Sequence, residues 1–422
     1  MKQQLLLVLG IILWLAGYGQ NNDTTQYIIK GRANSPEQQK KPYVIMISVD
    51  AMRYDYIEKC NATNLITLGK TGVRAEAMMP SYPSITFPNH YTLVTGLYPS
   101  HHGIVCNKFY DRNLNDSYSS KSVTATEARW YGGTPLWVLA EQQKMLSAAF
   151  YWVGSDAEIQ NTYPTYRYKY NEKISIGNRI KTVINWLKLS PAQRPHLINL
   201  YFPQVDYAGH HFGPDAPETH KAVLLIDSAV NELQKQVKQT GLDVNFIFLS
   251  DHGMVHVDNK APLSIPPIID TAKFNITGED VMVELYAKDT SAIKGTYEAL
   301  LKEPHNRYAV YLGTNTPKHW HYNKANDRFN RIADILLIPK APNVFIYTAK
   351  GRPNPGAHGY DPTLVPQMKA TFYAWGPNFK TGLKIPMFNN VDVYPLVAQL
   401  LGLTITQPVD GSIHLAKKLL IK

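Results

Sequence analysis

The sequence predicts an α/β fold in which a central, mostly parallel sheet is flanked by helices. Two observations predict this fold class. Short apolar runs with almost no polar residue are typical of strands that are buried on both faces. Segments with helical spacing of apolar residues lie between these runs, and such alternation builds a sheet through right-handed crossovers.

Three apolar runs are predicted as strands of this sheet and two segments as helices. The strands are Tyr43–Val49 (YVIMISV), Leu197–Phe202 (LINLYF) and residues 245–249 (NFIFL). The helices are Ile176–Leu187 and residues 222–237, where apolar residues recur on one helical face. A further strand is predicted over residues 343–347.

Between residues 262 and 341 the pattern changes. Strands are predicted over 281–286 and Tyr308–Leu312, with a helix near residues 291–301. We expect a small α+β insertion that packs on the main sheet as a cap, within a single domain over residues 41–420. The composition, 44% hydrophobic and 18% charged, is that of a globular protein with a large core.

The N-terminal residues resemble an export signal. An apolar run from Leu5 to Ala16 follows Lys2 and ends in small residues. It is shorter than the ~20 apolar residues of a membrane span, so a signal peptide is predicted over residues 1–19, with a retained anchor as the alternative. Residues 20–40 are polar and are interpreted as a mobile leader. We therefore expect an exported, soluble protein in the periplasm or outside the cell, with no membrane span after cleavage.

The formal net charge is +10, which falls to +9 when Lys2 is removed with the signal peptide. An excess of basic over acidic residues favours the binding of anionic substrates or surfaces. The chain has no Arg/Lys block and no nucleic-acid-binding signature, so sequence-specific binding of nucleic acid is not predicted. Cys60 and Cys106 are too few for a disulfide framework, and the sequence leaves open whether they pair.

Acidic and histidine residues follow the ends of the predicted strands. They are Asp50, Asp206, His210, Asp251, His252 and His358. Ligands bind outside the carboxyl ends of the strands in an open parallel sheet, so these side chains are expected at one rim. Each Asp alone could cap a helix. Together, carboxylates and imidazoles indicate Zn²⁺ or another first-row divalent ion, and six ligands are more than one tetrahedral ion needs, so two metals are expected.

Thr86 lies in the stretch SITFPNH, residues 84–90, just before a predicted first helical turn. Its hydroxyl could cap that helix, or it could be a nucleophile. Two metals ~4 Å apart can clamp both oxygens of an in-line displacement at phosphorus. Metal coordination would turn a threonine hydroxyl into an alkoxide, and a helix N-terminus receives phosphoryl oxygens. The pattern therefore indicates phosphoryl chemistry.

Five motifs together resemble the nucleotide pyrophosphatase/phosphodiesterases of the alkaline phosphatase superfamily. They are SVDAMR, PSITFPNHYTLVTGLYPSHHGIV, VDYAGHHFGP, SDHGM and GAHGYDP, and they occur in order between about residues 41 and 415. The resemblance implies an alkaline-phosphatase-like sandwich and a single phosphodiesterase catalytic domain. The additional domains of the vertebrate relatives have no counterpart in this sequence.

The resemblance implies two zinc ions and a role for each matching residue. One zinc site would be Asp206, His210 and His358, and the other Asp50, Thr86, Asp251 and His252. Thr86 would be the nucleophile that forms a phosphothreonine intermediate. Asn107 would bond a non-bridging phosphoryl oxygen, with a simple turn residue as its alternative.

Aromatic residues at three matching positions would stack the nucleotide base. They are Phe87, Tyr170 and Tyr201, and their alternative role is core packing. The predicted function is an exported di-zinc phosphodiesterase or pyrophosphatase that acts on small nucleotides and releases nucleoside 5′-monophosphates. The alternatives are a choline or lipid-headgroup phosphodiesterase and an alkaline phosphomonoesterase. A non-catalytic relative is disfavoured because all seven ligand and nucleophile positions are filled. Substrate preference, native metal and oligomeric state stay open.

Overall fold

A computed structural model describes residues 23–303, 306–347 and 353–421. It has a nine-stranded central sheet with helices on both faces, which confirms the predicted fold class. Across the sheet the strands are Gln26–Ile28, Tyr166–Tyr168, Ser147–Phe150, Leu197–Phe202, Tyr43–Val49, Val244–Leu249, Phe372–Trp375, Val73–Ala75 and Leu383–Ile385.

The middle of the sheet is parallel, as predicted. In the register of Tyr43–Val49, Ile45 pairs with Ile198 on one side and with Phe246 on the other. Beyond Val244–Leu249 the next strand, Phe372–Trp375, is antiparallel. The predicted strands at 43–49 and 197–202 have the observed bounds, and the third begins one residue earlier, at Val244.

Two hydrophobic cores lie on opposite faces of this sheet. Val44 and Met46 belong to one core, whereas Ile45 and Ile47 belong to the other. Because successive side chains of a strand point to opposite faces, a strand covered on both sides is apolar at nearly every position. This requirement explains the run YVIMISV, in which Ser48 is the buried polar exception.

Helices cover both faces of the central sheet, except that Ser291–Lys302 packs on a second sheet. They are Tyr56–Lys59, Thr63–Thr71, Thr86–Thr95, Pro99–His102, Leu136–Gln142, Ile176–Leu187, Gln204–Phe212, Pro217–Gln239, Ser291–Lys302, Val393–Leu401 and His414–Leu419. Ile176–Leu187 has the predicted bounds. The other predicted helix lies within Pro217–Gln239, which begins with a proline at a position where no backbone donor is needed.

The region predicted as a cap contains a second sheet with its own core. Its strands, in order, are Phe274–Glu279, Met282–Ala287, Ile335–Pro339 and Tyr308–Leu312, all antiparallel. Ser291–Lys302 packs on Tyr308–Leu312, and Leu300 is buried in this core. Tyr286, on the other face of this sheet, belongs to the large core of the main domain.

Short strand pairs complete the structure. They are Met78–Met79 with Phe388–Asn389, Lys108–Asp111 with Asp116–Ser119, Val255–His256 with Gly356–Ala357, and Leu263–Ser264 with Phe345–Ile346. The last of these contains part of the strand predicted over residues 343–347. Cys60 and Cys106 are both buried free thiols, so they do not pair with each other.

One N-terminal prediction is wrong. Residues 26–28, interpreted as part of a mobile leader, form the edge strand Gln26–Ile28, which pairs with Tyr166–Tyr168. Asn34 is also buried, where its amide donates to the carbonyl oxygens of Pro191 and Arg194. Backbone pairing and polar contacts hold this segment in place, so its polar composition did not indicate mobility. The predicted signal peptide, residues 1–19, lies outside the described residues. Within the described residues, no helix is both long and apolar enough to span a bilayer.

Candidate metal centre and active site

The parallel strands deliver the predicted ligands to one edge of the sheet. Asp50 directly follows Tyr43–Val49, and Asp251 lies two residues after Val244–Leu249 ends. The helix Gln204–Phe212 comes just after Leu197–Phe202 and carries Asp206 and His210. The carboxyl ends of these three neighbouring strands therefore meet at the site.

Asp50, Asp251 and His252 form one candidate ligand group, and all three are buried. Their nearest ligand atoms all lie within 4.8 Å of one another. His252 Nε2 is 3.0 Å from Asp251 Oδ2 and 3.5 Å from Asp50 Oδ1. Thr86 Oγ1 lies 3.1 Å from the same His252 Nε2, so the structure brings all four residues together.

Asp206, His210 and His358 form a second group with the same 4.8 Å limit. Asp206 Oδ1 is 3.4 Å from His210 Nε2 and 3.6 Å from His358 Nε2. The rings of His358 and His252 stack with centroids 3.7 Å apart, so the two groups adjoin.

A close backbone approach makes the second group possible. A Cβ on Gly356 would lie only 2.2 Å from the carbonyl oxygen of Gly209. Since real Cβ atoms do not come this close, glycine at 356 lets the segment of His358 reach the helix of His210. The glycine in GAHGYDP therefore has a packing role next to the site.

Backbone carbonyls orient all three imidazoles in the same way. The Nδ1 atoms of His210, His252 and His358 bond the carbonyl oxygens of Gly356, Gly253 and Ser84 at 2.8, 2.9 and 3.1 Å. A proton on Nδ1 leaves the Nε2 lone pair free, as in most metal-ligating histidines. His210 Nε2 and His358 Nε2 are 3.1 Å apart, and two lone pairs at this distance repel unless a cation is shared between them.

The carboxylates also fit a metal. Asp50 Oδ1 and Asp206 Oδ1 are buried and have no hydrogen-bond donor within the described part of the chain. A buried carboxylate oxygen without a partner is costly, whereas a coordinated ion would satisfy it. Carboxylate and imidazole ligands together suit zinc and related divalent ions. One of these two oxygens belongs to each ligand group.

The electrostatics of the site favour added positive charge. Burial, together with the nearby Asp251, raises the pKa of Asp50 well above its usual range. Burial raises the pKa of Asp206 to about 7. Burial alone would lower the pKa of His252, but the adjacent Asp251 carboxylate raises that pKa to about 9. Carboxylates crowded in this way hold a proton or a cation more tightly than isolated ones.

Thr86 lies at a helix N-terminus, and the helix Thr86–Thr95 begins at this residue and not after it, where the first turn was predicted. Ile85 is the N-cap residue, and no side chain caps this helix. The Thr86 hydroxyl contacts His252 instead, so the helix-cap alternative is excluded.

His90 is a site residue that the sequence analysis did not single out. It is fully buried, with Nδ1 3.1 Å from Asp251 Oδ2 and Nε2 2.8 Å from Ser48 Oγ. The same Nδ1 lies 3.1 Å from the carbonyl oxygen of Thr86, four residues earlier. The helical spacing of Thr86 and His90 was the signal that could have identified it.

Asn107 lies beside the start of the same helix. Its Oδ1 accepts a hydrogen bond of 3.1 Å from the backbone N–H of Phe87. This bond fixes the amide, and it leaves the NH₂ group to donate elsewhere. Asn107 is therefore close to Thr86, where a donor could reach a phosphoryl oxygen.

The three predicted base-stacking rings do not all meet. Tyr170 is 42% exposed, and its ring centroid lies 6.1 Å from that of Tyr201. Phe87 is half-buried, and its described ring contact is with Tyr118, at 6.4 Å. Tyr170 and Tyr201 are therefore neighbours with tilted rings, whereas Phe87 lies apart from them, next to Thr86.

Tyr201 has a contact that the sequence analysis missed. Its hydroxyl donates a hydrogen bond of 2.6 Å to Asp50 Oδ2. Burial raises the pKa of Tyr201 well above its usual range, so the hydroxyl stays protonated and remains a donor. Tyr201 therefore orients a candidate metal ligand in addition to offering a ring.

Comparisons with known proteins agree with this geometry. The model of the family described as type I phosphodiesterase / nucleotide pyrophosphatase matches residues 44–361. Mouse ectonucleotide pyrophosphatase/phosphodiesterase family member 1 is 34% identical over 91% of this chain, which spans only 44% of the mouse protein. A relative from Schizosaccharomyces pombe, described as an uncharacterized pyrophosphatase/phosphodiesterase, is 33% identical over 91% of this chain and 82% of its own length.

A solved structure resembles the chain closely. Murine ectonucleotide pyrophosphatase/phosphodiesterase 5 superposes with a TM-score of 0.84 at 29% identity, covering 90% of this chain and 100% of the murine chain. A threonine-to-alanine variant of that murine protein, described as inactive, has been solved in complex with AMP.

Proposed function

The chain belongs to the type I phosphodiesterase / nucleotide pyrophosphatase family, and we propose that it is an exported, metal-dependent hydrolase of nucleotide phosphodiester or pyrophosphate bonds. Its products would be nucleoside 5′-monophosphates. The observation that carries the proposal is the 3.1 Å contact between Thr86 Oγ1 and His252 Nε2. This contact supports the proposal, because it brings a hydroxyl group that could act as nucleophile against a buried group of metal-ligand type.

The site would hold two Zn²⁺ ions. Asp206, His210 and His358 would bind one ion, and Asp50, Thr86, Asp251 and His252 the other. When bound, the ions would neutralise charge on the phosphoryl oxygens and lower the pKa of the Thr86 hydroxyl and of the hydrolytic water. The unpartnered carboxylate oxygens of Asp50 and Asp206 and the common orientation of the imidazoles support this assignment.

Thr86 would act as the nucleophile in a two-step reaction. In the first step its hydroxyl loses a proton to solvent, Oγ1 bonds to phosphorus, and the bond from phosphorus to the leaving oxygen breaks; the leaving group departs into solvent, where its oxygen takes up a proton if it needs one. In the second step a water oxygen bonds to phosphorus and releases a proton, the Thr86 Oγ1–phosphorus bond breaks, and Oγ1 takes up a proton, which restores the hydroxyl. The covalent phosphothreonine intermediate divides one difficult displacement into two easier ones.

Other residues would position the substrate. The NH₂ group of Asn107 would donate to a non-bridging phosphoryl oxygen, since its Oδ1 is held by Phe87 N–H. The rings of Tyr170 and Tyr201 would offer a face to the base, with Phe87 closer to the reacting phosphorus. Stacking on a ring is worth ~1–3 kcal/mol per base and tolerates every base.

The same proposal includes domain organisation and export. Residues 41–420 would work as one catalytic domain, with the segment at about 262–341 covering it as a cap. Export would remove residues 1–19. N-terminal sequencing of the protein recovered from the periplasm or the medium tests export, and a mature protein that still begins at Met1 would contradict signal cleavage.

A comparison of kcat/KM values on one enzyme preparation tests the function. The substrates are a nucleotide diester, a dinucleotide, a choline phosphodiester and a phosphate monoester. We expect the two nucleotide substrates to have the highest values, with a nucleoside 5′-monophosphate among the products. A higher value for the choline diester or for the monoester would replace the proposed function by the corresponding alternative.

A further inference from the structure

His90 lies between the proposed nucleophile and one candidate ligand group, and the proposed reaction gives it no role. It is on the helix Thr86–Thr95, and its side chain is fully buried. Its Nδ1 atom lies 3.1 Å from the carbonyl oxygen of Thr86 and 3.1 Å from Asp251 Oδ2. One ring nitrogen therefore contacts both the backbone of the nucleophile and a carboxylate of the ligand group.

The contacts of the imidazole determine where its proton lies. Both neighbours of Nδ1 are acceptors, a carbonyl oxygen and a carboxylate oxygen, so Nδ1 carries the proton. Nε2 lies 2.8 Å from the hydroxyl of Ser48, which can donate to it or accept from it. The Nδ1–H group of His90 is therefore shared between Thr86 and Asp251, whatever the charge of the ring.

Neighbouring side chains fix the orientation of the ring. The rings of Trp152 and Tyr201 meet it edge to face, at centroid distances of 5.3 and 5.2 Å. The indole N–H of Trp152 also donates a hydrogen bond of 2.9 Å to the backbone carbonyl oxygen of His90. Ser48 is itself buried, in the strand that ends just before Asp50. A side chain locked by packing and hydrogen bonds can hold a ligand in a defined orientation.

Asp251 depends on His90 at one of its two carboxylate oxygens. Oδ1 is held by the backbone N–H of Ala51 and by the hydroxyl of Ser250, both at 3.2 Å. Oδ2 faces His90 and, at 3.0 Å, the Nε2 atom of His252. When the proton of His252 is on its Nδ1, as its contact with a backbone carbonyl oxygen favours, His90 is the described donor that holds Oδ2.

We propose that His90 is a positioning residue, which holds Asp251 as a metal ligand and Thr86 as the nucleophile through one shared N–H group. This inference rests on the proposed function and extends it to a residue that acts through its neighbours. It assigns the role to Nδ1 alone. A residue needed only for packing would depend on the volume of its ring and not on one of the two nitrogens.

Two amide variants separate the two ring nitrogens of His90. Asparagine places its NH₂ group near the position of Nδ1, whereas the longer glutamine reaches the position of Nε2. His90→Asn can therefore donate to Asp251 and Thr86, and His90→Gln can bond only Ser48. His90→Leu removes both contacts.

A second buried histidine supplies a matched control. His102 is fully buried, and its Nε2 bonds Thr92 Oγ1 at 3.0 Å instead of a candidate ligand. His102→Leu therefore removes a buried imidazole from the same core, and we expect it to leave zinc affinity unchanged.

Zinc affinity is measured by competition with a chelator, one ligand group at a time. His358→Ala removes a ligand from the group of Asp206, so that the group of Asp251 is measured alone, and His252→Ala does the reverse. In the His358→Ala background, we expect His90→Leu and His90→Gln to weaken zinc binding roughly 10- to 100-fold and His90→Asn to restore it. In the His252→Ala background, none of the three variants changes the affinity.

Turnover gives a second measurement, with both ligand groups intact and zinc in excess. We expect kcat for a nucleotide diester to fall in His90→Leu and His90→Gln, because Thr86 loses a contact that holds its backbone. His90→Asn should recover most of the lost kcat. If His90→Leu fails to fold, the comparison of the two amide variants decides, since both keep a polar group in the cavity.

The outcomes separate this inference from the proposed function. Equal zinc affinities of the two amide variants, an equal loss in His102→Leu, or an equal loss in both backgrounds would overturn the positioning role while the hydrolase assignment stands. A wild-type protein that binds no zinc would overturn the inference together with the proposed metal centre.

Discussion

Replacing Tyr201 with phenylalanine removes one hydroxyl and keeps the ring. That hydroxyl donates a 2.6 Å hydrogen bond to Asp50 Oδ2 at a buried site. A hydrogen bond to a charged group contributes about 1.5–3 kcal/mol, which corresponds to roughly 10- to 150-fold in an equilibrium constant. Tyr201→Phe is therefore expected to weaken metal binding by that factor, because Asp50 loses the donor that orients it.

The assay is competition between the protein and a chelator of known zinc affinity, followed at equilibrium. Tyr170→Phe is the matched control, because its hydroxyl contacts Glu172 at the surface at 2.8 Å and not a candidate ligand. Wild-type zinc affinity in Tyr201→Phe would refute the reasoning.

Tyr201→Ala should in addition raise KM for nucleotide diesters more than for a small aryl phosphodiester, and equal effects on the two substrates would assign the ring to packing.

Three further predictions concern the nucleophile, the metal and a buried carboxyl. Thr86→Ala should abolish turnover while the circular dichroism spectrum stays normal and zinc content stays close to normal; a variant that still turns over would exclude Thr86 as nucleophile. Exhaustive chelation should remove activity and Zn²⁺ should restore it, so unchanged rates after chelation would contradict metal dependence. Burial of Glu284 raises its pKa from 4.5 to about 8, so the stability it contributes is complete below about pH 4.5 and is lost as pH rises through 8. Glu284→Gln should therefore flatten the fall of Tm between pH 5 and about 8, and a Tm profile parallel to that of the wild type would refute this explanation.

The central strands were predictable because their burial on both faces favours apolar residues at nearly every position. Tyr43–Val49 and Leu197–Phe202 are covered by helices on both faces, and each therefore appears in the sequence as a nearly continuous apolar run. The alternating pattern of a strand with one exposed face would have been harder to identify. The Asp and His residues after these strands followed from the same reasoning, since parallel strands end at one edge. The grouping of the ligands into two sets came from the resemblance of the motifs.

The features that were missed depend on contacts between distant segments. The bond between Tyr201 and Asp50 joins residues 151 positions apart in the sequence, and it exists because their two strands are neighbours in register. The contact of His90 with Asp251 likewise needs a helix and a strand end to meet. The edge strand Gln26–Ile28 has no apolar run, and its pairing partner is far along the chain.

The central claim is that Thr86 attacks phosphorus, and trapping the covalent intermediate tests it most directly. The enzyme is mixed with a nucleotide diester, quenched in acid within one turnover, digested and examined by peptide mass spectrometry. We predict a nucleoside monophosphate attached to the peptide that contains Thr86, and its absence from the Thr86→Ala variant. An adduct on a different residue, or product formation from Thr86→Ala at the wild-type rate, would contradict the account.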